Sequence, residues 1–229
     1  MLSAIAIVPS APVMVAELAG DAATETAALR SAAQAAAATL GPRWIALGAA
    51  DSDARHGPAA RGTFAGYGVD LPVALSAGAL AAAPTALPLC ALIAGWLRGL
   101  AAPTAEVEAH ALDSGLDPDA AYRRGRELRT ELDRTDEPVG VLVVADGFHT
   151  LTPGAPGGHD PSSVDAQAAF DDALAAGDTA ALRQTPAPVV GRVAFQALAG
   201  LTEPGPRAAE ELYRGAPYGV GYFVGLWTP

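Results

Sequence analysis

The sequence predicts an α/β fold in which a central, mostly parallel sheet is flanked by layers of helices. Short apolar segments alternate along the chain with longer segments of helical composition, and this alternation favours parallel strands joined by helices. Gly and Pro end several of these segments. The 229 residues are 51% hydrophobic, which is enough for one sizeable core. We therefore expect a single domain spanning residues 1–229.

The first elements are assigned from apolar runs and their boundaries. Residues 4–8 form a short apolar strand that prolines halt directly afterwards. The alanine-rich segment 21–40 predicts a helix with Asp21 as its N-cap, ended by Gly41 and Pro42. Residues 43–48 predict a second buried strand, and a long polar loop is expected over residues 50–68.

The later elements follow the same logic. A third strand is predicted over 69–75, a buried helix over 84–100 and an alternating, half-exposed strand over 106–112. Segment 117–134 has acids first and arginines later, which suits a helix dipole, and 139–145 is a buried strand. Further helices are predicted over 163–176, 179–184, 189–201 and 207–213, and a strand over 218–227 that could be a core or an interface strand.

Charge and composition exclude several classes of partner. Acidic residues outnumber basic ones 25 to 14, so the net charge of −11 disfavours nucleic-acid and membrane-surface binding. Cys90 lies in an apolar run and is expected to be a buried thiol. Pro88, Gly95 and Arg98 interrupt the most apolar run before it reaches membrane-spanning length. With no signal-peptide pattern at the start, we expect a cytoplasmic protein.

Candidate site residues are expected just beyond the carboxyl ends of the strands, where α/β proteins place their sites. That rule selects segments 9–12, 49–58 and 146–160. The last of these lies within the stretch ADGFHTLTPGAPGGHD, and its Asp146 and His149 closely follow a buried strand. A strand end can hold an imidazole precisely beside a cleft, as acid–base catalysis requires. We interpret His56, His110 and His159 as loop or surface residues.

The order of motifs resembles the class III extradiol ring-cleavage dioxygenase superfamily, and within it the type formed by the catalytic chains. The resemblance is to a short, alanine-rich bacterial branch, and it covers most of the chain. The motifs that carry it are PSAPVMVAELAG after the first strand, GTFAGYGVD, ADGFHTLTPGAPGGHD and the closing APYGVGYFVGLW.

The resemblance implies a non-haem Fe(II) centre held by two His and one carboxylate, with a further His as acid/base. Its first ligand is the His of a Pro-His-Pro-Pro turn, but this chain has Ser10 there. The second ligand follows the second strand, where this chain reads Gly-Ala-Ala-Asp up to Asp51, and His56 comes several residues later. His149 matches the acid/base, and Glu210 or Glu211 is the candidate carboxylate ligand.

Three hypotheses follow from these departures. In the first, the metal centre is degenerate because Ser10 and Asp51 replace imidazoles, and the inherited cleft binds a small molecule or a partner. In the second, an active Fe(II) enzyme has ligands that moved to His56, His149 and Glu211, or Asp51, Glu211 and His149 bind a harder ion. In the third, Ser10 is the nucleophile of a metal-free hydrolase or transferase and His149 is its base. A homodimer is also a possible assembly.

Overall fold

The computed structural model describes residues 1–229 and has a mixed α/β fold. Its nine strands are β1 (Leu2–Val8), β2 (Arg43–Ala50), β3 (Ala54–His56), β4 (Arg61–Thr63), β5 (Pro72–Ala74), β6 (Glu106–Asp113), β7 (Val139–Val144), β8 (Ala208–Gly215) and β9 (Tyr222–Thr228). The seven α-helices are α1 (Ala16–Ala19), α2 (Ala27–Ala38), α3 (Leu89–Ala101), α4 (Pro118–Leu132), α5 (Ser162–Ala176), α6 (Thr179–Arg183) and α7 (Arg192–Thr202).

Seven strands form one sheet in the order β3-β6-β2-β7-β1-β9-β8. The central four, β6, β2, β7 and β1, are parallel to one another, which confirms the predicted parallel sheet. β3 pairs antiparallel with β6 at one edge, and β9 and β8 add an antiparallel pair at the other. The carboxyl ends of the four central strands therefore meet along one border of the sheet, which we call the carboxyl end.

Helices cover both faces of this sheet because side chains of each strand alternate between the two faces. In β1, Ala6 and Val8 belong to one buried cluster and Ile5 and Ile7 to another. The first cluster includes residues of α2 and α3, and we call that side the first face. The second includes residues of α4, α5, α6 and α7, and we call that side the second face.

The second face is held by an unusually close pair of helices, α4 and α7. A Cβ added at Gly125 of α4 would lie 1.8 Å from the carbonyl oxygen of Ala197. One added at Gly200 of α7 would lie 2.1 Å from the carbonyl oxygen of Tyr122. Glycine at both positions lets the two backbones touch, and this fixes where α7 begins relative to the carboxyl end of the sheet.

Two sequence expectations are corrected at the edges of the sheet. The helix predicted over 207–213 is strand β8, which pairs with β9 along its whole length. The strand predicted to be half-exposed is β6, which lies inside the sheet between β3 and β2. His110 on β6 is therefore only 6% exposed, and its Nε2 lies 2.7 Å from Oε1 of Glu108. Burial lowers the pKa of His110, although Glu108 opposes that effect.

Smaller corrections concern the segments before α3. The predicted loop 50–68 contains β3 and β4, and the predicted third strand shrinks to β5, which pairs with β4 in a separate two-stranded sheet. The helix predicted to begin at Asp21 is a 3₁₀ turn over Gly20–Ala23, followed by α2 from Ala27. Helix α4 begins as expected, because the side chain of Asp117 accepts a hydrogen bond from the N–H of Ala120.

The C-terminal strand is a core element. β9 has a neighbour on each side, β1 and β8, so its backbone is not available to a second copy of the chain. The indole Nε1 of Trp227 donates a hydrogen bond of 2.9 Å to the carbonyl oxygen of Leu174. Across the whole chain, the helices are all too short or too polar to cross a lipid bilayer.

Candidate functional site

The three segments selected from the sequence all begin at the carboxyl end of the sheet. They follow β1, β2 and β7, which are neighbours in the order β2-β7-β1. The structure places their candidate residues in two groups. Ser10 and Asp146 form one, and His149 belongs to the other.

Ser10 and Asp146 are joined by a hydrogen bond. The backbone N–H of Ser10 donates to Oδ1 of Asp146 at 2.8 Å. Asp146 is 8% exposed, and its burial raises its pKa to about 7, with the Ser10 bond opposing that shift. The pKa of nearby Tyr222 is raised, chiefly by burial and further by the charge of Asp146. The result is a carboxyl group that can gain or lose a proton near neutral pH.

A glutamine outside every sequence motif, Gln167, positions the loop after β7. Its Oε1 accepts a hydrogen bond from the N–H of Phe148 at 2.8 Å, and its Nε2 donates to Asp171 at 2.7 Å. A Cβ at Gly147 would lie 2.3 Å from Gln167 Oε1, and one at Gly221 would lie 2.2 Å from the same atom. The i, i+4 spacing of Gln167 and Asp171 on α5 was the available signal.

His149 lines a pocket of about 490 Å³ on the α7 side of the carboxyl end. The other lining residues come from the turn after β6, the start of α4 and the segment that enters α7: Ser114, Pro118, Thr185, Ala187, Pro188, Val189, Val190, Arg192 and Val193. We call this cavity the His149 pocket. Phe148 forms a β-bridge with Val189, which holds the pocket's two principal segments together.

The imidazole of His149 is tightly placed but incompletely hydrogen-bonded. A Cβ added at Gly157 would lie 2.3 Å from Cδ2 and 2.5 Å from Nε2 of the ring, so only glycine lets the loop pass there. Nδ1 of His149 is buried and has no hydrogen-bond partner. An unsatisfied buried polar atom costs about 1–3 kcal/mol, which favours a partner supplied from the pocket.

Arg192 supplies the positive charge of the His149 pocket, and no sequence motif pointed to it. Its Nη1 donates to Oε1 of Gln196 at 3.1 Å, and its Nη2 donates to the carbonyl oxygens of Ser114 and Leu116 at 2.9 Å. All three acceptors are neutral. The bonds hold the first turn of α7 against the turn that follows β6.

Ser10 and His149 do not form the pair that a serine hydrolase requires. The Ser10 hydroxyl makes no hydrogen bond to the imidazole, and Ser10 does not line the His149 pocket. A serine nucleophile needs its base within hydrogen-bond reach. The hydrolase hypothesis therefore has no supporting contact.

The predicted metal residues Asp51, His56 and Glu211 are not brought together. His56 lies on β3 and Glu211 on β8, the opposite edges of the sheet, which are six strand spacings or roughly 29 Å apart. Glu211 pairs with Gly225, which faces Ile7, so it lies beside the middle of β1 and not at its carboxyl end. Its Oε2 accepts a hydrogen bond of 2.8 Å from Nε of Arg214.

The ligand positions that the resemblance implies are also unsuited to Fe(II). At the end of β2, Gly48 packs so closely on Cys90 that an added Cβ would lie 2.3 Å from Cβ of that cysteine. Burial raises the pKa of the Cys90 thiol to about 11, which keeps it a neutral, poor ligand. Asp51 is exposed. No group of three or more His, Cys, Asp or Glu residues is arranged to hold a metal ion.

His159 and Asp160 end the loop and start α5. Oδ1 of Asp160 accepts hydrogen bonds from the backbone N–H and the hydroxyl of Ser162, at 3.0 and 2.7 Å. The carboxylate therefore caps the helix and does not orient the neighbouring imidazole.

Comparison with known proteins gives the fold alone. No family model matches the chain, and no curated protein matches it. Among solved structures, the chain is similar to the uncharacterized protein JW3007 from Escherichia coli K12, with a TM-score of 0.57 and 11% sequence identity. The match covers 98% of this chain and 99% of that one, so the whole chain shares its architecture with a bacterial protein of nearly equal extent.

Proposed function

We propose that this chain is a class III extradiol dioxygenase-like protein without an iron centre, and that it binds a small molecule in the His149 pocket. The observation that carries the proposal is the buried, unpartnered Nδ1 of His149 beside a cavity of about 490 Å³ at the carboxyl end of the sheet. Cavities of this size are typical of small-molecule sites, and α/β proteins place such sites at this border.

The other two hypotheses have less support. An iron enzyme with relocated ligands needs His56 and Glu211 on one ion, but they lie at opposite edges of the sheet. A hydrolase needs Ser10 bonded to its base, but the N–H of Ser10 is bonded to Asp146 and its hydroxyl does not contact His149. Binding in the His149 pocket requires neither arrangement.

Blocking the pocket tests the proposal. Ala187 is exposed at the pocket, so Ala187→Trp introduces an indole there without disturbing the core. Ala180 is also exposed but lies on α6 outside the pocket, which makes Ala180→Trp a matched control. Binding is followed by saturation-transfer NMR with catechol, benzoate, benzamide, phenylacetate, phenylacetamide and phenyl phosphate.

We expect at least one probe to bind the wild-type chain and the Ala180→Trp variant, and to lose its signal with Ala187→Trp. If no probe binds, or if Ala187→Trp binds as the wild type does, the His149 pocket is not the binding site.

A further inference from the structure

We infer that the ligand of the His149 pocket is a small organic carboxylate, bound through the guanidinium of Arg192 with the imidazole of His149 beside it. This inference rests on the proposed function and deepens it by naming the class of ligand. It depends on the charge of Arg192, the unsatisfied imidazole and the apolar walls of the pocket.

The charge of Arg192 has no counterion within the chain. Its three hydrogen bonds go to one amide oxygen and two backbone carbonyls, and it forms no salt bridge. A guanidinium has five N–H donors, so two of them remain for a ligand. Hydrogen bonds from a guanidinium to a carboxylate are roughly twice as strong as those between neutral groups.

The pocket also has no acidic lining residue. Asp117 and Asp119 flank the lining residue Pro118, but both are engaged elsewhere. Asp117 caps α4 through the N–H of Ala120, and Asp119 forms a salt bridge of 3.0 Å with Arg183. A bound anion would therefore meet a positive group without a competing carboxylate.

The other arginines that line cavities are already neutralised. Arg124, in a cavity of about 330 Å³, forms a salt bridge with Asp53. Arg214, in another of about 330 Å³, pairs with Asp172 and Glu211. In a chain of net charge −11, Arg192 is exceptional in facing a cavity while bonded only to neutral groups.

The walls indicate an organic anion and not a bare inorganic one. Pro118, Pro188, Val189, Val190 and Val193 supply apolar surface around the polar groups. Such walls favour a ligand with a hydrocarbon body, since removing apolar surface from water is favourable in proportion to its area. His149 can then donate or accept one hydrogen bond at the polar end of that ligand.

The test compares each carboxylate with its own amide on the wild-type chain. Benzoate and benzamide have nearly the same shape, as do phenylacetate and phenylacetamide, but only the acids carry charge. We expect each carboxylate to bind about tenfold more tightly than its amide, as one charge-assisted hydrogen bond predicts. Dissociation constants come from NMR titration at constant ionic strength.

Arg192→Gln should remove most of that preference, whereas Arg192→Lys should retain part of it. Arg207→Gln is the matched control, because Arg207 is exposed, donates to the carbonyl oxygen of Pro229 and lies outside the pocket. Thermal unfolding of each variant checks that it folds. If Arg192→Gln does not fold, the acid–amide comparison on the wild type decides alone.

The outcomes separate this inference from the proposed function. Equal binding of acid and amide, lost in Ala187→Trp, would overturn the carboxylate but keep the pocket as a binding site. Tenfold tighter binding of phenyl phosphate than of benzoate would replace the carboxylate with a phosphate ester. A folded Arg192→Gln variant that keeps the acid preference would also overturn the inference. Failure of every probe would overturn the proposed function itself.

Discussion

The two groups of polar residues at the carboxyl end of the sheet differ in how their hydrogen bonds are satisfied. Asp146 is buried, and a backbone N–H within the chain partners its carboxyl group. His149 and Arg192 line an open cavity, where Nδ1 has no partner and the guanidinium has no counterion. The first group is complete within the folded chain. The second group is complete only when something else is bound.

This difference teaches which residues to associate with function. Ser10 and Asp146 attract attention in the sequence, yet their contact is a structural bond between the ends of two neighbouring strands. Arg192 has no motif around it, yet it supplies the free charge at a cavity. Unsatisfied polar groups beside a cavity are better evidence for binding than the residue types that a motif contains.

The largest effect that would sharpen the comparison is on stability at neutral pH. The pKa of Asp146 is raised from an ordinary 3.8 to about 7, so the folded state favours the protonated carboxyl. Its contribution to stability is therefore complete below pH 4, falls as pH rises from 4 to 7 and is lost above 7. At 1.36 kcal/mol per pKa unit, that loss is as much as about 4 kcal/mol.

Asp146→Asn should abolish that decline, because an amide cannot ionise and its oxygen can still accept the Ser10 hydrogen bond. Asp136→Asn, at an exposed loop position, should behave as the wild type. Urea unfolding at pH values from 4 to 8 measures the free energies. Parallel profiles for the wild type and Asp146→Asn would show that the carboxyl is not a buried, neutral group.

A smaller loss of stability should follow if the two groups are forced apart. The segment that leads into α7 crosses the end of β7, where the N–H of Gly191 donates to the carbonyl oxygen of Asp146 at 2.8 Å. A Cβ at Gly191 would lie 2.4 Å from Cβ of Ala145. Gly191→Ala should therefore destabilise the chain by about 1–3 kcal/mol and distort the His149 pocket.

Gly154→Ala is the control, because a Cβ at Gly154 meets nothing within 4 Å. It should change the unfolding free energy by less than about 0.5 kcal/mol, as exposed substitutions usually do. Chemical denaturation compares both variants with the wild type. Equal stability of the two variants would mean that the segment entering α7 can move away from β7 without penalty.

Part of this architecture could be predicted from the sequence. Strands β1, β2 and β7 are continuous apolar runs, and the rule that sites follow parallel strands located the three loops at the carboxyl end. The buried thiol of Cys90 also followed from its apolar surroundings, and it is 1% exposed. These features depend on local composition, which a single sequence records directly.

The rest depends on which elements become neighbours. β8 reads as an amphipathic helix because Glu210 and Glu211 stand together, and only its pairing with β9 makes it a strand. His110 is buried because β3 returns to cover β6. The place of Arg192 depends on Gly125 and Gly200, which let α4 and α7 approach closely. None of these contacts has a signal within a window of a few residues.

The most direct test of the central claim is an anaerobic measurement of Fe(II) binding to the chain purified without chelators. Because no His, Cys, Asp or Glu residues converge, we expect far less than one bound iron per chain after dialysis, and no cleavage of catechol on exposure to O₂. One tightly held iron per chain, lost together with catechol cleavage in His149→Ala, would contradict that claim.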